Sequence, residues 1–133
     1  MRVAYVDSSF LVAIAFTETG SAALAQTLNE QDILISSNLL EAELRAALRR
    51  DNVTADPSEL LSSIVWVHPD RALTPEIKTV LGAGYVRGAD LWHLASALFV
   101  APKREIAFLT LDVRQREISE ELGFATGGTE VES

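Results

Sequence analysis

The chain of 133 residues has no cysteine, one methionine, four prolines and two histidines. Without cysteine it can form neither a disulfide nor a thiolate metal site, which fits a reducing cytoplasm. Its two histidines, His68 and His93, are too few for an all-histidine zinc site. Long apolar runs are missing as well. The longest, Phe10 to Phe16, falls far short of the roughly 18 residues that a membrane span needs. No basic-then-apolar leader is evident, so the protein reads as soluble, unexported and cytoplasmic. Basic charge is also scarce: 11 Lys and Arg stand against 19 Asp and Glu, a formal charge of −8. A general nucleic-acid coat protein needs a basic face to displace counterions, and that class is disfavoured. An enzyme that meets phosphates through a bound divalent ion remains allowed, because such an ion inverts the local charge.

With 48% hydrophobic residues, the chain can bury one core and reads as a single domain over residues 1–125. The remainder, 126–133, is rich in Gly, Thr and Glu and reads as a flexible tail. No repeat or linker divides the rest. Short β-branched and aromatic runs at Val3–Val6, Ile33–Ile35, Ile64–Val67 and Ile106–Leu111 predict strands. Helical patterns fall between them, through Phe10–Phe16, from Gly20-Ser21, and over 38–50. Others start near Pro57, at Thr74-Pro75 and at Asp90, and a last one runs through Ile118 and Leu122. Strands alternating with helices predict a three-layer α/β/α domain around a parallel sheet.

Four acids stand out by position. Asp7 and Asp112 each end a predicted buried strand. Asp90 begins a helix directly after the Gly82–Gly88 loop, and Glu43 interrupts the apolar arc formed by Leu40, Leu44, Ala47 and Leu48. In a doubly wound sheet, strand ends and the starts of the following helices share one edge. Asp7, Asp90 and Asp112 can therefore meet there, and Glu43 joins them if its helix crosses that edge. Two carboxylates about 5 Å apart repel by roughly 3 kcal/mol at an effective dielectric near 20. A divalent cation removes that conflict, and an all-oxygen donor set selects a hard ion, Mg²⁺ or Mn²⁺. Such an ion activates water and stabilises charge on a phosphate, which is the chemistry of phosphodiester hydrolysis.

Each residue also has a plainer reading. Asp90 and Asp112 are suited to cap helices, and Glu43 can reach solvent or pair with Arg50. His93 reads as a hydrogen-bonded structural residue, and Ser8 and Thr110 as caps or as donors that orient a carboxylate. Glu41 and Arg45 are spaced as an ordinary surface pair.

Four segments, in order, resemble the PIN domain family: Tyr5-Val6-Asp7-Ser8-Ser9, then Ala42-Glu43-Leu44 after Ser37, then Gly88-Ala89-Asp90-Leu91-Trp92-His93-Leu94-Ala95, then Phe108-Leu109-Thr110-Leu111-Asp112. Within that family the chain is similar to VapC-type toxin ribonucleases of type II toxin–antitoxin modules. The resemblance implies that Asp7, Glu43, Asp90 and Asp112 form an acidic metal site, catalytic with Mg²⁺ or Mn²⁺, flanked by Ser8 and Thr110. It also implies an RNA substrate, a homodimer, and a cognate antitoxin protein whose tail enters the site. Trp92 stands where the family more often has a small or aliphatic residue. Scattered arginines (Arg45, Arg49, Arg87 and Arg114) are left to position RNA. Two other readings use the same residues. One is a non-cleaving RNA-binding or regulatory module. The other is a phosphotransferase with Asp7 as phosphate acceptor, which would lack a second acid two residues on.

Overall fold

The computed structural model describes residues 1–126. The flexible tail expected over 126–133 lies outside the described residues, apart from Thr126. Four strands form one parallel sheet: β1 (Val3–Val6), β2 (Ile33–Ser37), β3 (Ile64–Val67) and β4 (Ala107–Leu109), in the order β3-β2-β1-β4. An isolated bridge from Ala107 to Ala125 continues the pairing beyond β4. The helices are α1 (Ser8–Ala15), α2 (Ser21–Asn29), α3 (Leu39–Arg50), α4 (Ser58–Leu61), α5 (Thr74–Ala83), α6 (Gly88–Val100) and α7 (Val113–Leu122).

The three-layer arrangement follows from strands that are apolar on both faces. Alternate side chains of β1 go to opposite cores. Tyr5 joins Ile35 and Phe108 under α5, α6 and α7, among Val80, Leu94, Leu98 and Ile118. Ala4 and Val6 join Leu34 and Leu109 under the helices that carry Phe10, Leu11, Leu28, Leu40, Leu44 and Leu48. Tyr5 and Phe108 are register partners on adjacent strands, and their rings lie flat on each other at 5.4 Å. Such an aromatic pair adds about 1 kcal/mol to what burial alone contributes.

Element boundaries differ from expectation in three places. Helix α1 begins at Ser8, with Asp7 in the cap position, so Ser8 and Ser9 lie inside the helix and cap nothing. Helix α4 stops at Leu61, so Ile64, which suits both the end of that helix and the strand expected over Ile64–Val67, belongs to β3 alone. Helix α5 extends through Gly82 and Ala83, which shortens the glycine loop to 84–87. At its far end Gly88 opens α6 at φ +59, a left-handed conformation suited to glycine. That turn places Asp90 in the first turn of α6. No described helix is long and apolar enough to cross a membrane.

Candidate active site

The sheet runs outward from β1 through β2 to β3, then returns to the other side of β1 with β4. The carboxyl ends of β1 and β4 therefore flank a topological switch point, where ligands of open parallel sheets bind. Asp7 leaves one strand there, and Thr110 to Asp112 leave the other.

Asp7 is only 2% exposed. Ser9 Oγ donates to its Oδ1 at 2.7 Å, while Thr110 Oγ1 and Gln115 Nε2 donate to its Oδ2 at 2.8 and 2.7 Å. A carboxylate has about four acceptor positions, so one is left after these three bonds. Burial pushes the Asp7 carboxyl above its ordinary value, and the hydrogen bonds from Ser9, Thr110 and Gln115 draw it partly back. The expected donor Ser8 makes no hydrogen bond among the described residues. With α1 starting at Ser8, it is Ser9 that faces Asp7. Ser9 Oγ also accepts from the Leu111 backbone N–H at 2.9 Å, which fastens the start of α1 to the segment after β4.

Asp90 sits against the same amide: Gln115 Nε2 donates to its Oδ1 at 3.0 Å. One nitrogen thus serves both Asp7 and Asp90, and their two accepting oxygens are no further apart than those two bonds laid end to end. The Asp90 carboxyl is raised above its ordinary value, first by partial burial and then by the negative charges of Asp112, Asp7 and Glu43. All four acids therefore act on one neighbourhood, although four different elements carry them.

Asp112 caps α7. Its Oδ1 accepts from the Gln115 backbone N–H at 2.8 Å and starts α7, while its own N–H donates to Thr110 Oγ1 at 3.0 Å. Glu43 projects from α3, which packs on one face of the sheet, and meets His93 from α6 on the other. His93 Nε2 lies 2.7 Å from Glu43 Oε1. The alternative partner Arg50 bonds Asp51 instead. The expected Glu41–Arg45 surface pair forms at 2.8 Å. Trp92 stands beside the cluster and donates its indole N–H to Ser37 Oγ at 2.9 Å.

Gln115 was not anticipated. Three residues after a capping Asp, it reads as the glutamine of a capping box, whose side chain turns back to its own helix end. Here the side chain is 1% exposed and reaches the two carboxylates instead. Its Oε1 is buried with no hydrogen-bond partner among the described residues.

Among the described residues, no three acidic or histidine side chains are arranged to hold an ion as they stand. The hydrogen bonds explain this. A donor of the chain satisfies one oxygen of each acid: Gln115 for Asp7, Asp90 and Asp112, and His93 for Glu43. The donor chemistry nevertheless fits a hard divalent ion. Asp90 Oδ2, Asp112 Oδ2 and Glu43 Oε2 accept no hydrogen bond among the described residues, and Asp7 has one acceptor position left. A cation bound among them would replace repulsion with coordination.

Set beside known families, residues 4–121 match the model described as the PIN domain. PIN domains are generally nucleases and typically use divalent metal ions. No curated protein matches the chain significantly.

Proposed function

The chain belongs to the PIN domain family, and from that premise we propose that it is a Mg²⁺- or Mn²⁺-dependent endoribonuclease, the toxin of a toxin–antitoxin pair. The observation that carries the reading is that one amide nitrogen, Gln115 Nε2, bridges two acids from separate elements, at 2.7 Å from Asp7 and 3.0 Å from Asp90. Buried and half-buried acids gathered with no lysine or arginine ion-paired to them among the described residues, and with a histidine facing Glu43, are costly unless a cation is to be bound.

In this reading Asp7 and Asp90 hold the ion, with Glu43 and Asp112 completing its surroundings. When bound, a divalent ion there polarises the scissile phosphate and makes water a stronger nucleophile. Ser9 and Thr110 fix the plane of the Asp7 carboxylate, and Gln115 sets the spacing between Asp7 and Asp90. Asp112 serves twice, since the cap it forms also begins the helix that carries Gln115. The site lies at the carboxyl ends of β1 and β4, and Asp90, Asp112 and Glu43 each keep one oxygen that accepts no hydrogen bond among the described residues.

The toxin role rests on the resemblance to VapC-type proteins and on charge. A cluster of acids in a chain of net charge −8 suits a basic antitoxin tail, whose arginine can pair two-pronged with a carboxylate. A homodimer belongs to the same proposal. The phosphotransferase reading loses support, because Asp7 is 2% exposed and three donors occupy its oxygens. The second reading is a non-cleaving RNA-binding module of the same fold. Incubating purified protein with RNA, with Mg²⁺ or Mn²⁺ and then with chelator, separates the two. Cleavage that chelator stops supports the nuclease, and binding without cleavage supports the module.

A further inference from the structure

We infer that Tyr5 and His93 form a buried relay that aims Glu43 at the acid cluster, so that both are positioning residues for cation binding. The inference rests on the metal-dependent reading above. Tyr5 is fully buried on β1, two residues before Asp7, and His93 is 1% exposed on α6, three residues after Asp90. Tyr5 Oη lies 2.7 Å from His93 Nδ1, and His93 Nε2 lies 2.7 Å from Glu43 Oε1. The two elements that present Asp7 and Asp90 thus also present the two links that reach the third acid.

The direction of the relay follows from its far end. The Ser37 backbone N–H donates to Tyr5 Oη at 3.1 Å, occupying one side of that oxygen. A tyrosine hydroxyl keeps its proton at neutral pH. With that proton directed at His93 Nδ1, the ring hydrogen lies on Nε2, facing Glu43. Ser37 anchors the arrangement a second time, because its Oγ accepts from the indole N–H of Trp92, the residue before His93. Tyr5 is held flat on Phe108 at 5.4 Å and meets the His93 ring edge-on at 5.7 Å.

The two partners of His93 differ in burial, since Tyr5 is fully buried and needs a partner inside the protein. Glu43 does not: its side chain is 27% exposed, and solvent alone could satisfy it. The relay holds Oε1 in one place and leaves Oε2 without a bond. Orienting bonds of this kind typically contribute about 10–100-fold to metal affinity.

The test is Mn²⁺ binding by calorimetry on the full chain, with melting in chelator as a check of folding. His93→Leu is expected to bind Mn²⁺ about tenfold more weakly, and Tyr5→Phe to bind more weakly than wild type. His93→Gln can still donate to Glu43 and accept from Tyr5, and is expected to stay near wild type. Because the effect runs through Glu43, adding His93→Leu to Glu43→Gln is expected to cost nothing further. A metal-free readout stands beside these. Nitrogen-15 spectra of His93 are expected to show the Nε2–H tautomer in wild type and to lose that preference in Tyr5→Phe. A folded His93→Leu or Tyr5→Phe that binds Mn²⁺ as wild type does would overturn the relay, as would an Nδ1–H tautomer in wild type. No Mn²⁺ binding by wild type with the Nε2–H tautomer intact would instead overturn the metal reading, and the inference with it.

Discussion

Gln115 and Asp7 are 108 positions apart in the chain, yet the Gln115 amide donates to the buried Asp7 carboxylate at 2.7 Å. The same nitrogen reaches Asp90 at 3.0 Å. A positively polarised N–H₂ group between two acids does in part what a cation would do fully. Gln115→Leu is therefore expected to destabilise the protein in chelator at neutral pH. Removing a hydrogen bond to a charged group costs about 1.5–3 kcal/mol, and losing the orphaned Oε1 offsets part of that. Urea denaturation of the two proteins measures the difference. Equal stability would mean that the bridge carries no weight.

The pH dependence of the metal-free protein has a definite sign. The Asp90 carboxyl is raised in the folded state by burial and then by Asp112, Asp7 and Glu43. A raised carboxyl contributes stability below its ordinary 3.8, and that contribution is lost as pH rises through the raised value. In chelator, Asp90→Asn is expected to melt higher than wild type at pH 7. It should also lose less stability between mildly acidic and neutral pH. Asn can still accept the Gln115 bond, so the comparison isolates charge. A lower melting temperature for Asp90→Asn at pH 7 would contradict the repulsion.

Two adjacent serines separate the bonded position from the unbonded one. Ser9→Ala removes the donor to Asp7 Oδ1 and the acceptor for the Leu111 N–H. It is expected to cost about 1–3 kcal/mol, and to weaken Mn²⁺ binding as well. Ser8→Ala is expected to stay within about 0.5 kcal/mol of wild type. Thermal denaturation with and without Mn²⁺ measures both, and equal effects would remove the assignment to Ser9.

The sequence made the acids legible because each breaks a local pattern. Asp7 and Asp112 end apolar runs, and Glu43 interrupts an apolar helix face. Asp90 follows a glycine whose left-handed turn fixes where α6 begins. What it did not show depends on helix phase and docking. Moving the first residue of α1 by one position exchanges the directions of Ser8 and Ser9, and such boundaries shift by a residue or two without any local signal. Gln115 was hidden because its position after Asp112 already has a local explanation. Only the seating of α7 against β1 and α6 aims its side chain elsewhere. His93 was read as a bonded structural residue, and it is bonded, but Tyr5 and Glu43 lie 88 and 50 positions away. The strand order that places β1 beside β4 was likewise absent from any local pattern.

Packing under the site offers a check on the fold itself. Phe108 is 1% exposed and stacked on Tyr5. Phe108→Ala is expected to cost about 3–5 kcal/mol, as deletion of a buried aromatic ring does. Phe108→Leu is expected to cost less, because it keeps most of the volume. Chemical denaturation measures both, and a cost below 1 kcal/mol for the alanine variant would contradict a tightly packed layer beneath Tyr5.

The most direct test of the nuclease reading is RNA cleavage by wild type and Asp7→Asn, purified identically and assayed with Mg²⁺ or Mn²⁺. Asp7→Asn removes the charge at the most buried of the four acids while keeping its shape. Wild type is expected to cut and to stop when chelator is added. Asp7→Asn is expected to show only background cutting while melting cooperatively. Undiminished cleavage by Asp7→Asn would contradict the account at its centre.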